Sequence, residues 1–149
     1  MTLFKNLNTD TIKDCLILLD IDGTIAEDDQ LEVSDENMVI IDKLKKMNQV
    51  HLCSNSRNHK RNKTIADYAG ITYLDTDIRK PSKKILDLIE HSAFTRRLVI
   101  GDKFLTDGLF AKNIKADFIK IDRITSKNDR LYIKFLYWID NLICKIISK

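Results

Sequence analysis

The chain has 149 residues, 44% of them hydrophobic and 32% charged, with a formal net charge of +3. Such a balance describes an ordinary soluble globular protein of one domain, with a core large enough to need no staples. So mild an excess of cations also argues against dedicated nucleic-acid binding, while leaving room for a local basic patch.

In chain order, the first structural run is Cys15-Leu-Ile-Leu-Leu-Asp-Ile-Asp-Gly-Thr24. Its unbroken apolar segment, Cys15 to Leu19, reads as a strand buried on both faces of a parallel sheet. An acidic loop, Glu27-Asp-Asp-Gln30, follows, and Ser34 can cap a helix with Asp35 and Glu36 in its first turn. Met38, Ile41, Leu44 and Lys45 recur at helical spacing, and Lys43, Lys45 and Lys46 suit the helix's carboxyl end. Val50-His-Leu-Cys53 is a second strand, ending in Ser54-Asn-Ser56. A helix from about Asn58 to Ala69 is stopped by Gly70, and Ile71-Thr-Tyr-Leu74 is a third strand. Lys80-Pro81 opens another helix, with Ile85, Leu86 and Ile89 as its apolar face. Leu98-Val-Ile100 is a fourth strand, ending in Gly101-Asp102. A short helix near Asp107 to Asn113 then leads to a fifth, Ala116 to Ile121. The alternation predicts an α/β fold, a five-stranded parallel sheet with right-handed crossovers. The domain core would span about 14–122 and an amphipathic tail about 127–149.

Chemistry collects where these strands end. Successive strand residues point to opposite faces, so Asp20 and Asp22 share one face at the carboxyl end of the first strand. Ligands of open α/β sheets bind at that edge. Two acids with nothing basic between them repel unless a cation or a proton intervenes. Gly23 permits a sharp turn, and Thr24 offers a hydroxyl. Ser54 and Asn55 bring a hydroxyl and a backbone amide able to donate to a phosphoryl oxygen, or else a cap or turn. Lys80 precedes a helix start, where a cation is out of place unless it neutralises an anion; a solvated loop lysine is the alternative. Asp102 and Asp107 carry the hard oxygen ligands that magnesium takes, or serve as caps, Asp107 being a plausible helix start.

In this order the pieces resemble the haloacid-dehalogenase (HAD) superfamily of phosphatases. Asp20-Ile-Asp22-Gly-Thr24 looks like its first motif, Ser54 its second, Lys80 its third, and Gly101-Asp102 with Asp107 its fourth. The resemblance covers about Leu16 to Ile121 and implies a Rossmann-like three-layer sandwich. It implies a nucleophile at Asp20 and a general acid and base at Asp22. Ser54, Asn55, Lys80, Gly23 and Thr24 would surround the phosphoryl group. Magnesium would be held by Asp20, the Asp22 carbonyl and Asp102, with Asp107 close by. Between Thr24 and Ser54 there is room for a loop and one helix, and between Lys80 and Asp102 for one helix and one strand, so the fold would be capless and its site open.

Gly101 to Leu109 is similar to the subclass IIIA pattern, and within it to the phosphatidylglycerophosphate phosphatase family, with its Ser-Asn after the second strand and Lys-Pro at the third motif. That family often has Asn where Gly23 stands, and a second Asn where Ser56 stands. The resemblance implies a lipid-linked phosphomonoester as substrate. A soluble sugar, nucleotide or polynucleotide phosphate is the alternative, and a non-catalytic binding module on the same fold a further one.

Two features bear on a lipid surface. The basic run Arg57-Asn-His-Lys-Arg-Asn-Lys63 opens a helix, which its cations oppose unless an anionic partner is near; a solvated basic face is the alternative. In the tail, 131–149, Lys134, Asn141, Lys145 and Ser148 form a narrow polar stripe on an otherwise apolar helix with aromatics. It fits an interfacial helix, or packing against the domain or a second copy in a homo-oligomer. No stretch gives the ~18 uncharged residues of a membrane span, and the first residues lack the pattern of a signal peptide. Cys15, Cys53 and Cys144 are odd in number and without metal spacing, so they read as reduced and the chain as cytoplasmic, at most peripheral to a membrane. His51, His59 and His91 also lack metal spacing and read as surface residues.

Overall fold

Five apolar runs become strands: β1 (Cys15–Leu19), β2 (Gln49–Leu52), β3 (Thr72–Tyr73), β4 (Arg96–Gly101) and β5 (Asp117–Lys120). They form one sheet in the order β3-β2-β1-β4-β5, every neighbouring pair parallel. The computed structural model describes residues 2–28, 30–90, 92–125 and 131–147, without the side chains of 131–133. His91, Ser148 and the start of the tail therefore lie outside the described residues.

The central strand explains the layering. All five β1 residues are buried, and alternate ones serve opposite faces. Ile17 and Leu19 join a core with Ile40, Ile41 and Leu44 of α1 (Asp35–Met47) and Ile65, Ala66 and Ala69 of α2 (His59–Ala69). Leu18 joins a second core with Ile85, Val99, Phe110 and Ile114. The result is the expected three-layer α/β sandwich. Ser34 caps α1, its hydroxyl accepting from the Asn37 N–H at 3.3 Å. Asn58 caps α2, and Gly70 ends it in the left-handed region at φ 62°.

Three elements depart from the sequence reading. The helix after Pro81 is a 3-10 helix, Lys83–Leu88. Ser82 is extended (ψ 126°) and its hydroxyl accepts from the Lys84 N–H, so Pro81 stays outside the first turn. Asp107 is not a helix start, because the chain first winds through a π turn, Phe104–Gly108, before α3 (Leu109–Asn113). That turn points the Asp107 side chain inward. His51, finally, is not on the surface: it lies buried in β2, and burial lowers its pKa.

The tail forms α4 (Leu131–Ile147), and it is fastened to the domain by polar groups. Asp140 is buried, accepting from the Phe104 and Leu105 N–H groups at 2.9 and 2.7 Å and from Lys120 Nζ at 2.6 Å. Phe135, Leu136, Trp138, Leu142, Ile146 and Ile147 are all exposed. No helix among the described residues is long and apolar enough to cross a membrane.

Candidate functional site

The site is assembled at the carboxyl edge of the sheet, where β1 and β4 lie side by side. The Asp20 N–H donates to the Ile100 carbonyl at 2.9 Å, extending the β1–β4 ladder by one residue and fixing the Asp20 side chain at the edge. The chain then turns back within six residues. The N–H groups of Thr24, Ile25 and Ala26 all donate to the Ile21 carbonyl, and the Gly23 N–H to the Ala26 carbonyl. Gly23 is required twice over: its φ is 78°, and a Cβ there would collide with the Asp102 carboxylate.

Lys80 enters this edge as a buried cation, 5% exposed, with Nζ 2.6 Å from Asp20 Oδ1 and 2.6 Å from Asp107 Oδ1. Burial alone would lower its pKa, but Asp107 and Asp20 outweigh it and the pKa is raised. Asn55 holds the Lys80 backbone at both ends, Oδ1 accepting from its N–H at 2.7 Å and Nδ2 donating to its carbonyl at 3.0 Å. Asn55 thus reaches the site through Lys80. Thr24 is fully buried and its hydroxyl donates to Asp20 Oδ2 at 3.5 Å.

Asp20, Asp102 and Asp107 place carboxylate oxygens within 4.8 Å of one another, all three buried. Burial and the Asp20 charge push the Asp102 carboxyl up to about 7. Burial also pushes Asp107 up to about 6, with Lys80 opposing and Asp20 adding to the rise. Asp102 Oδ2 accepts from the Tyr137 hydroxyl of α4, while its buried Oδ1 has no hydrogen-bond partner. Two of these carboxylates share Lys80, the third is held by Tyr137, and one acceptor, Asp102 Oδ1, is left over. A hard divalent cation such as magnesium fits this donor set.

Asp22 stands apart from the cluster. Its Oδ2 accepts from Ser54 Oγ at 3.2 Å, and its Oδ1 lies 2.7 Å from Arg61 Nη1. Burial raises the Asp22 pKa, Arg61 opposes the rise, and the Asp20 charge adds to it. The Ser54 hydroxyl is therefore aimed at Asp22, and it accepts in turn from the Ser56 N–H at 3.0 Å. A cavity of about 270 Å³ opens over Asp20, Asp22, Asn55 and Lys80. It adjoins an apolar groove of about 320 Å³ lined by Leu105, Leu136, Tyr137 and Ile139, the two sharing Asp28, Lys103 and Thr106. A larger hollow of about 800 Å³, beside Leu31 and Tyr68, contains none of these acids.

The residues put forward for catalysis, phosphate contact and metal binding thus come to one edge; Thr24 and Ser54 face other site residues, while Asn55, which holds Lys80, also lines the cavity. The sequence reading did not single out Arg61, Tyr137, Asp140 or Arg123. Arg61 was visible only as one cation in a basic run. Arg123 lies 4.1 Å from the Tyr137 ring and 2.9 Å from Asp28, a pairing across 95 positions that no local pattern announces.

No family model matches the chain, and no curated protein matches it. Among solved structures, it is similar to YfnB from Bacillus subtilis, named as a HAD-hydrolase bound to magnesium. The identity is 18% and the TM-score 0.52, over 74% of this chain and 56% of that one. The chain thus spans little more than half the length of its structural neighbour. What the two share is the architecture: this chain is a Rossmann-like α/β domain with the fold of a HAD-hydrolase.

Proposed function

We propose that the protein is a magnesium-dependent HAD phosphatase that hydrolyses a phosphomonoester through an aspartyl-phosphate on Asp20. One observation carries this reading: Asp20, Lys80, Asp102 and Asp107 converge at the sheet edge, with a differently held acid, Asp22, beside them. Asp20, Asp102 and Asp107 would hold the cation together with the Asp22 carbonyl, and a bound magnesium would neutralise charge on the phosphoryl oxygens. The Asp20 carboxylate attacks phosphorus, and Asp22 protonates the departing oxygen. Asp22 then takes a proton from the water that hydrolyses the acyl phosphate. Lys80 pairs with Asp20 and offers positive charge to the transferring group, which is where most of the barrier is lowered.

The substrate we infer is lipid-linked, phosphatidylglycerophosphate being the one the sequence resemblance suggests. The groove beside the phosphoryl cavity supports this, since an amphiphile could seat its phosphate among the carboxylates and lay its apolar part along Leu105, Leu136 and Ile139. The exposed apolar residues of α4, with Lys134 and Lys145 also exposed, would rest on the anionic bilayer that holds such a substrate. The basic run contributes less to that contact than its composition suggests, because Arg61 is turned inward.

The experiment is phosphate release from phosphatidylglycerophosphate in mixed micelles, with magnesium and then with chelator, against a panel of soluble phosphomonoesters. Strong preference for the lipid is expected. Activity on the soluble panel alone would keep the mechanism and discard the lipid. No magnesium-dependent turnover of any phosphomonoester would leave a binding module.

A further inference from the structure

Arg61 takes no direct part in the phosphoryl transfer described above, yet its side chain is only 3% exposed. Its guanidinium is fixed in three directions. Nη1 lies 2.7 Å from Asp22 Oδ1, Nε donates to the Gln30 carbonyl at 2.7 Å, and Nη2 donates to the Glu27 carbonyl at 3.2 Å. Nη1 also reaches Asn62 Oδ1 at 3.4 Å, and Asn58 Oδ1 holds the Arg61 N–H at 3.2 Å. A planar fork tied at several points cannot swing without breaking several contacts at once. The Asp22 carboxylate is therefore gripped unevenly: the solvent-sealed Oδ1 meets a cation as an ion pair, and Oδ2 meets a hydroxyl.

We propose that Arg61 is a positioning residue for Asp22, fixing its carboxyl rotamer and reserving Oδ2 for the proton it exchanges. This rests on the phosphatase reading above. In the first half-reaction the Oδ2 proton passes to the ester oxygen as the bond from phosphorus to that oxygen breaks and the Asp20–phosphorus bond forms. In the second, Oδ2 takes a proton from water as the water oxygen bonds to phosphorus and the Asp20–phosphorus bond breaks. Arg61 keeps its own protons throughout, and it also ties the 27–30 loop to the acid it steadies.

The test compares two substrates by kcat/KM, which reports steps through phosphorylation of Asp20. Nitrophenyl phosphate has a leaving group that needs no proton, whereas glycerol phosphate has one that does. In Arg61→Met, kcat/KM should fall about 100-fold on glycerol phosphate and less than about 3-fold on nitrophenyl phosphate, as loss of acid catalysis alone would give. Equal losses on both substrates, in a variant whose circular dichroism matches the parent, would overturn the inference and leave Arg61 a structural residue. Should Arg61→Met not fold, Arg61→Lys, which keeps the charge and loses the fork, decides by the same ratio. A parent protein inactive on both substrates would overturn the phosphatase reading, and this inference with it.

Discussion

Asp20 and Asp22 are two residues apart on one strand end, yet their surroundings differ in kind. Asp20 lies in a crowded cluster, sharing the compact charge of Lys80 with Asp107 and lying near Asp102. Asp22 has a cation of its own, a flat guanidinium tied to the backbone on either side, and a hydroxyl on its other oxygen. The Lys80 charge lies against two of the acids and opposes the rise that burial imposes on Asp107, in a cluster whose oxygens are close enough to share a metal. A fork on one acid fixes where that acid points. Under the proposed mechanism, this difference in counter-charge would separate a nucleophile from a proton carrier, with the same side chain in both roles.

Breaking the crowded side should have the largest effect. Lys80→Met leaves Asp20 and Asp107 facing each other uncompensated, so turnover should fall by about 10²–10³-fold, as when a charge-stabilising donor is removed. Steady-state kinetics at saturating magnesium measures it. Metal removal should come next. Asp102 and Asp107, at about 7 and about 6, lie above the ordinary carboxylate value of 3.8. Folding therefore takes up protons at these groups, and their contribution to stability is fully present below about 3.8 and lost as pH rises through about 7. Bound magnesium would replace those protons, so the rise in Tm that it causes should be larger at pH 8 than at pH 5, as differential scanning fluorimetry would show.

Gly23→Ala brings a Cβ against Asp102 and strains a positive φ, so it should cost about 1–3 kcal/mol and weaken magnesium binding in a calorimetric titration. The smallest effect belongs to α4. Trp138→Ala, at an exposed position, should change stability by no more than about 0.5 kcal/mol and leave soluble substrates untouched. It should slow only the micellar reaction.

Much of this was legible in the sequence because short-range rules govern it. The apolar run of β1 and the Ser34, Asn58 and Gly70 signals around α1 and α2 are local, and the structure keeps them within a residue or two. Asp20, Asp22, Ser54 and Asp102 lie just past the ends of β1, β2 and β4, so their place at the edge follows from those strands. What stayed hidden depends on how distant segments meet. Arg61 turns inward because the 27–30 loop offers carbonyls that α2 cannot see in its own sequence. Asp107 faces Lys80 because the chain takes a π turn, for which the sequence reading had no signal. In α4 the lysine stripe drew attention, while Asp140 and Tyr137 hold the helix to the domain.

The most direct test of the account is to trap the intermediate. The protein would be mixed with magnesium and a phosphomonoester, quenched, and reduced with borohydride, which converts an aspartyl-phosphate to homoserine. Mass spectrometry should then find homoserine at position 20 alone, and none in chelator or in Asp20→Asn, which should be folded and inactive. Turnover in Asp20→Asn equal to that of the parent, or homoserine at another aspartate, would contradict the account.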